Sequence, residues 1–112
     1  MPAIAVRVDP IRTLAFGGIS GAYALVGTAT THLMRLIHFV NNTDADMMFS
    51  FDGTTDNVFV PAGSFTLYDL QTNSETNFDF FLQLGTQLYV KQNSAGPTKG
   101  AVYIMMIYGK GQ

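Results

Sequence analysis

The stretch Leu33 to Gly53, LMRLIHFVNNTDADMMFSFDG, limits what this chain can fold into more than any other part of it. Two apolar runs, Leu33–Val40 and Met47–Phe51, flank the polar connector Asn41-Asn42-Thr43-Asp44-Ala45-Asp46, and Asp52-Gly53 follows at once. Asn and Asp bond their own backbone and tolerate left-handed conformations, which is what a tight connection asks of its residues. The pattern predicts two antiparallel strands joined by a tight loop, with a second turn launching a third strand. Leu33, Ile37 and Phe39 share one face of the first strand and Met34, Leu36 and Val40 the other, so it is expected to be covered on both sides. In the second strand Met47, Phe49 and Phe51 oppose Met48, Ser50 and Asp52, leaving one face free to meet solvent. Gly53 is expected at positive φ.

The rest of the chain repeats the same grammar. Ile4–Val8 alternates and stops at Asp9-Pro10, which makes it either an edge strand or an extended arm that adds to a neighbour's sheet. Further strands are expected at Ile11–Phe16, Tyr23–Val26, Asn57–Val60, Ser64–Leu70, Phe78–Leu84, Leu88–Lys91 and Ala101–Tyr108. Pro61-Ala62-Gly63 reads as a turn with Pro at its first central position. Gln71–Asn77 and Gln92–Gly100 read as long polar loops. Gly18 and Gly21 argue against a helix between residues 17 and 27. About eight short strands without a convincing helix predict an all-β protein, an antiparallel sandwich or barrel. Residues 1–16 are the arm or edge strand, and residues 17–112 form a single β-sandwich domain.

Composition narrows the role. Apolar residues make up 47% of the chain but charged residues only 12%, half of the roughly 25% of ordinary soluble domains. The polar cover is Asn, Gln, Thr, Ser and Gly, which costs less to desolvate than Lys and Glu and suits permanent contact with other chains. A net charge of -2, with no two basic residues adjacent, argues against nucleic acid as a partner. No apolar stretch is long enough for a transmembrane helix, and Met1–Pro10 lacks the features of a secretory signal, so synthesis and folding in a cytoplasm are expected. The chain has no cysteine, which excludes disulfides and thiol chemistry.

The candidates for chemistry are few. Asp44, Asp46, Asp52 and Asp56 offer oxygen ligands for calcium, but an apolar strand separates the pairs, and Asp in turns more often bonds its own backbone. His32 and His38 lie six residues apart near one strand, and Glu75 is the only glutamate. That inventory is poor for acid–base work, so no enzyme activity, no metal and no cofactor is expected. Aromatic residues such as Phe65, Tyr68, Tyr89 and Tyr103 would serve a carbohydrate-binding platform, although rings inside strands are more often core. Interaction residues are expected instead: Ile4, Val6, Arg7 and Arg12 in the N-terminal segment, Arg35 as an interface or core ion-pair partner, and Tyr103 and Met105 on a C-terminal strand apolar on both faces.

Asn42-Thr43-Asp44-Ala45-Asp46, Phe49-Ser50-Phe51-Asp52-Gly53 and Val60-Pro61-Ala62-Gly63-Ser64 resemble a pattern in small virion proteins of tailed bacteriophages. Gly85-Thr86-Gln87-Leu88-Tyr89-Val90 and Gly100-Ala101-Val102-Tyr103 are similar to the same pattern, so the resemblance spans about Leu33 to Gly109 and leaves the first thirty or so residues outside it. The matching motifs are turn chemistry and carry no catalytic residue. The resemblance implies a jelly-roll-like sandwich acting as a capsid decoration (cement) protein on the virion surface, with a collar, head-fibre or baseplate part as the alternative. Its implied partners are itself, as a homodimer or homotrimer, and the major capsid protein.

Overall fold

A computed structural model describes residues 6–69 and 82–109. Nine strands run through them: β1 (Val6–Val8), β2 (Arg12–Ala15), β3 (Ala24–Leu25), β4 (Met34–Thr43), β5 (Met47–Ser50), β6 (Val58–Val60), β7 (Phe65–Asp69), β8 (Tyr89–Gln92) and β9 (Gly100–Gly109). A single 3₁₀ turn, Phe16–Gly18, is the one helical piece among the described residues.

The pairing is nested. β1 and β2 both pair with β9, β3 with β8, β4 with β7, and β5 with β6, all antiparallel. That is one long hairpin with its tip at β5–β6. Two further antiparallel pairings, β4 with β9 and β5 with β8, roll the hairpin up into a five-stranded and a four-stranded sheet. The protein is an all-β antiparallel sandwich with the nested topology of a jelly roll.

The core fills the space between the sheets. Ile37, Phe39, Ile104 and Met106 come from one sheet and Met47, Phe49, Val60 and Val90 from the other, all fully buried. Phe39 and Phe49 meet across the layers with ring centroids 5.0 Å apart. These two rings correct the expected tight pair: β4 and β5 sit in opposite sheets and face one another rather than hydrogen-bonding to each other. The connector is a crossover between layers, because its polar side chains bond main chain on both sides of it.

Other expectations shift in detail. A bulge between Met34 and Leu36 breaks the alternation of β4, so Met34 and Ile37 both turn inward. The outer residues Leu36, His38 and Val40 are only half-buried, and two-sided burial of β4 is not what the described residues provide. Pro61 opens its turn instead of sitting in its centre, since its carbonyl accepts the Ser64 N–H at 3.1 Å. Gly53 is at φ 80°, as the Asp-Gly dipeptide requires. Val6–Val8 pairs with Gly109, Tyr108 and Ile107 of the same chain, so this part of the N-terminal segment is an edge strand of its own sheet. Ile4, the loop Gln71–Asn77 and residues 78–81 of the expected strand Phe78–Leu84 lie outside the described residues; Leu82 makes an isolated bridge to Met34.

β9 alternates strictly over its middle, with Val102, Ile104 and Met106 buried and Tyr103, Met105 and Ile107 half-buried. The expectation that both faces are equally covered is therefore replaced by an inner and an outer face. Met106→Asp is expected to destabilise the fold by about 3 kcal/mol or more, since it buries an unpaired carboxylate in the core. Met105→Asp is expected to leave the melting temperature of the isolated chain nearly unchanged. Thermal unfolding of the two variants, followed by circular dichroism, checks the difference; similar losses in both would mean that the outer face is structurally covered.

Candidate interaction surface

The outer face of the five-stranded sheet is where exposed apolar side chains gather. Register places them in rows across the strands. Thr13, Tyr103, Val40 and Phe65 form one row, and Met105, His38 and Leu67 the next. Val8, Ile107, Leu36 and Asp69 form a third. Val8 is 69% exposed, Phe65 62% and Leu67 50%, values far above those of strand residues facing a core. The strands place no Lys or Glu on this face; the bulge turns Arg35 to this side together with Leu36, though Arg35 is buried, and Asp69 at the margin is the one carboxylate that the strands place here. Large apolar patches of this kind on small domains mark contact with other macromolecules.

His38 sits in the middle. Phe65 packs edge-on against its ring with centroids 5.0 Å apart, and Leu67 and Met105 flank it from the neighbouring strands. Its Nε2 is buried beneath these side chains and has no hydrogen-bond partner among the described residues. A buried imidazole nitrogen without a partner costs free energy.

The opposite outer face, on the four-stranded sheet, is built differently. Met48, Phe59 and Lys91 form a row there. The Lys91 ammonium lies 4.8 Å above the centre of the Tyr23 ring and 3.3 Å from an Asp56 oxygen. The Tyr23 hydroxyl donates to Asp56 as well. Burial, then the hydrogen bond to Asp56 and the charges of Asp56 and Asp52, push the Tyr23 phenol well above its usual range, while the Tyr23 hydroxyl and Lys91 hold the Asp56 carboxyl below its own. The charges of this face pair with one another, while Phe59 in its row stays 47% exposed.

The expected interaction residues divide between these environments. Val6, Tyr103 and Met105 lie on the apolar outer face. Arg7 is exposed and opposite Tyr108, on the other side of β1. Arg12 and Arg35 are buried, so neither is available at the surface as it stands. Arg12 donates to Asp9 at 2.5 Å and to the Thr28 carbonyl at 2.8 Å, stitching β2 to the segment after β3. Charge and position alone make a buried Arg look like an exposed one, and only the closing of Thr28 over it tells them apart. A cleft of about 410 Å³ opens beside Arg12, between Asp9–Thr13 and Gly27–Thr31, but this guanidinium is already engaged by protein groups. Leu67 and Val8 are signalled only by the alternation of their strands, and Phe65 also as one of the candidate platform aromatics.

The four aspartates go to four places. Asp44 accepts the Thr98 N–H and hydroxyl, tying the crossover to the loop before β9. Asp46 accepts the Ala62 N–H at 3.0 Å. Asp52 accepts from Thr54 N–H, Thr55 N–H, the Thr55 hydroxyl and the Ser50 hydroxyl. Asp56 holds Tyr23 and Lys91. Among the described residues no group of three or more His, Asp or Glu is placed to hold a metal ion. Hydrogen bonds from the Thr54 and Thr55 N–H groups, then from Thr55 and Ser50, hold the Asp52 carboxyl far below the usual carboxylate range. A lowered folded-state pKa means that the ionised form stabilises the fold above about pH 4, the unfolded value, and that this contribution fades as pH falls further. Asp52→Asn is therefore expected to flatten the acid limb of the stability curve, measured as melting temperature from pH 2 to 7. An unchanged acid limb would remove Asp52 from that role.

No protein-family model matches the chain, and no curated protein is detectably similar to it. The chemistry of the outer face therefore carries the functional reading.

Proposed function

We propose that this chain is a structural virion protein of a tailed bacteriophage, a capsid decoration (cement) protein that associates with copies of itself and with the major capsid protein on the head surface. The observation that carries the reading is the apolar outer face of the five-stranded sheet, which a solitary soluble domain has no reason to keep. A decoration protein works by surface contact rather than by turnover. It spreads non-covalent contacts over capsid subunits and so resists the pressure of the packaged genome, for which an apolar face and a weakly charged polar remainder are suited. The turn motifs from Asn42 to Ser64 support the same assignment.

The test uses heads of the phage that carries this gene, with the gene deleted. Added protein is expected to co-sediment with these heads saturably and to raise their resistance to heat and osmotic shock. Heads that neither bind the protein nor lose resistance when it is missing would end the decoration reading. Recovery of the protein in purified tails instead would move it to a collar or baseplate position.

A further inference from the structure

We propose that the free edge of β7 is a docking site for an extended segment of a partner protein, which adds beside β7 as one more strand of the five-stranded sheet. The site belongs to the strand itself. Only the naming of the partner as the major capsid protein rests on the virion reading.

The main chain of β7 decides what fits there. Phe65–Asp69 pairs with β4 on one side, and among the described residues no strand lies on its other side. Register sets Val40 opposite Phe65, and the Asn41 N–H donates to the Ser64 carbonyl at 2.9 Å. Bonded pairs alternate along an antiparallel ladder, so Thr66 and Tyr68 turn their N–H and C=O groups toward β4. Those of Phe65 and Leu67 point away from the sheet. Donor and acceptor thus recur at every second residue, about 6.8 Å apart, a spacing that another extended chain matches group for group. An added strand also covers the exposed side chains of Phe65 and Leu67 on the outer face and of Tyr68 on the other.

The other sheet edges of the described residues are guarded. β1 has three residues with Arg7 in the middle, and Pro10 follows it closely. Arg12 ties β2 to the carbonyls of Thr28 and Ala29. In the four-stranded sheet the edge strand β3 has two residues, and β6 has three and stops at Pro61. Short strands, charges and prolines are how sheet edges avoid pairing with other chains. β7 has five residues and holds no Lys, Arg, Pro or Gly. It is the longest edge and the one left open. A second copy offers it no good match, because its other edges are the guarded ones. Pairing β7 with β7 along its whole length would set Phe65 beside the Asp69 carboxylate. The segment that fits is extended, uncharged and apolar at every second position.

The probe is the capped peptide acetyl-Thr-Val-Thr-Val-Thr-amide, with the same peptide N-methylated at every residue as its control. NMR of the isotope-labelled protein is expected to show the Phe65 and Leu67 amides shifting and exchanging more slowly with solvent, with a Kd of about 1 mM or tighter. The methylated peptide, which cannot donate, is expected to do neither. Leu67→Pro is expected to stay folded, because an edge strand tolerates Pro where its N–H faces solvent, and to weaken peptide binding by about tenfold or more. Leu67→Ala keeps the N–H and is expected to lose less. Phe65 and Leu67 amides unmoved at about 5 mM peptide overturn the proposal, as does equal binding of the methylated peptide. A dimer of the free protein that Leu67→Pro abolishes would put a second copy on this edge and overturn the choice of partner. On heads that lack the protein, the bound chain is expected to gain exchange protection in β7, read by mass spectrometry. Heads that bind it with β7 unprotected overturn this edge as the capsid contact and leave the virion reading in place. If the peptide docks on β7 but heads do not bind the protein, the virion reading falls and the strand site stands.

Discussion

Gly100→Ala is expected to prevent the protein from folding, or to destabilise it by about 3 kcal/mol or more. Gly100 opens β9 at φ 87°, in the left-handed region where a side chain is strained by about 1–3 kcal/mol in its own right. Strain is the smaller part of the effect. A Cβ at this position would stand 1.9 Å from the carbonyl oxygen of Asn42 and 3.0 Å from its carbon. Both are main-chain atoms of β4, and β4 is pinned by β7 on one side and β9 on the other. No rotamer change relieves such a contact, so β9 would have to move away from β4 where Gly100 pairs with Thr43. That pairing anchors the ladder that also holds β1 and β2, so the displacement spreads into the whole five-stranded sheet. Chemical denaturation of Gly100→Ala beside the unsubstituted protein checks this. A loss below about 1 kcal/mol would mean that the start of β9 is free to shift.

Much of this architecture is legible in the residues. Apolar runs bounded by Gly, Pro, Asn and Asp locate the strands because local propensity and turn chemistry agree there. What a single sequence leaves hidden is which strand bonds to which. Met47–Ser50 alternates in the same way whether it pairs with β4 or faces it across the core, since burial and not partnership sets the pattern. The bulge at Met34–Leu36 hides for a similar reason, because every residue flanking Arg35 is apolar and no polar position marks the change of phase. Gly100 looks like the end of a polar loop, and its close approach to Asn42 depends on a contact 58 residues away in the chain. The outer face is half legible: Tyr103 and Met105 stand out as apolar, but nothing in β9 alone says which side of it faces the core. Arg12 misleads because a buried guanidinium and a surface one have the same letter.

Asn41 shows how far the connector's chemistry differs from that of an ordinary turn. It is fully buried, and its side chain is used at both ends. Nδ2 donates to the Ala45 carbonyl at 2.8 Å and to the Val60 carbonyl at 2.9 Å, while Oδ1 accepts the Thr43 N–H at 3.1 Å and the Thr43 hydroxyl at 2.6 Å. Its own N–H donates to Ser64 across the sheet edge. The residue thus joins β4, the crossover and the end of β6, which belong to both layers. Asn41→Leu keeps the volume but removes a donor from two buried carbonyls and an acceptor from Thr43, at about 1–3 kcal/mol for each group left unmatched. A total of about 3–5 kcal/mol is expected, enough to leave a small domain barely folded. Asn41→Asp is expected to be worse at neutral pH, because a carboxylate oxygen would face the carbonyls of Ala45 and Val60. Burial without a cation raises the pKa of the introduced carboxyl above its unfolded value of about 4. The unfolded chain then binds fewer protons than the folded one, so this variant should gain stability as pH falls through the folded-state pKa. The unsubstituted protein moves in the opposite direction below about pH 4, through its hydrogen-bonded Asp52. Melting temperatures of Asn41→Asp at pH 4.5 and 7.5 decide the matter: equal values would mean that the carboxyl escapes to solvent and that Asn41 does not hold the two layers together.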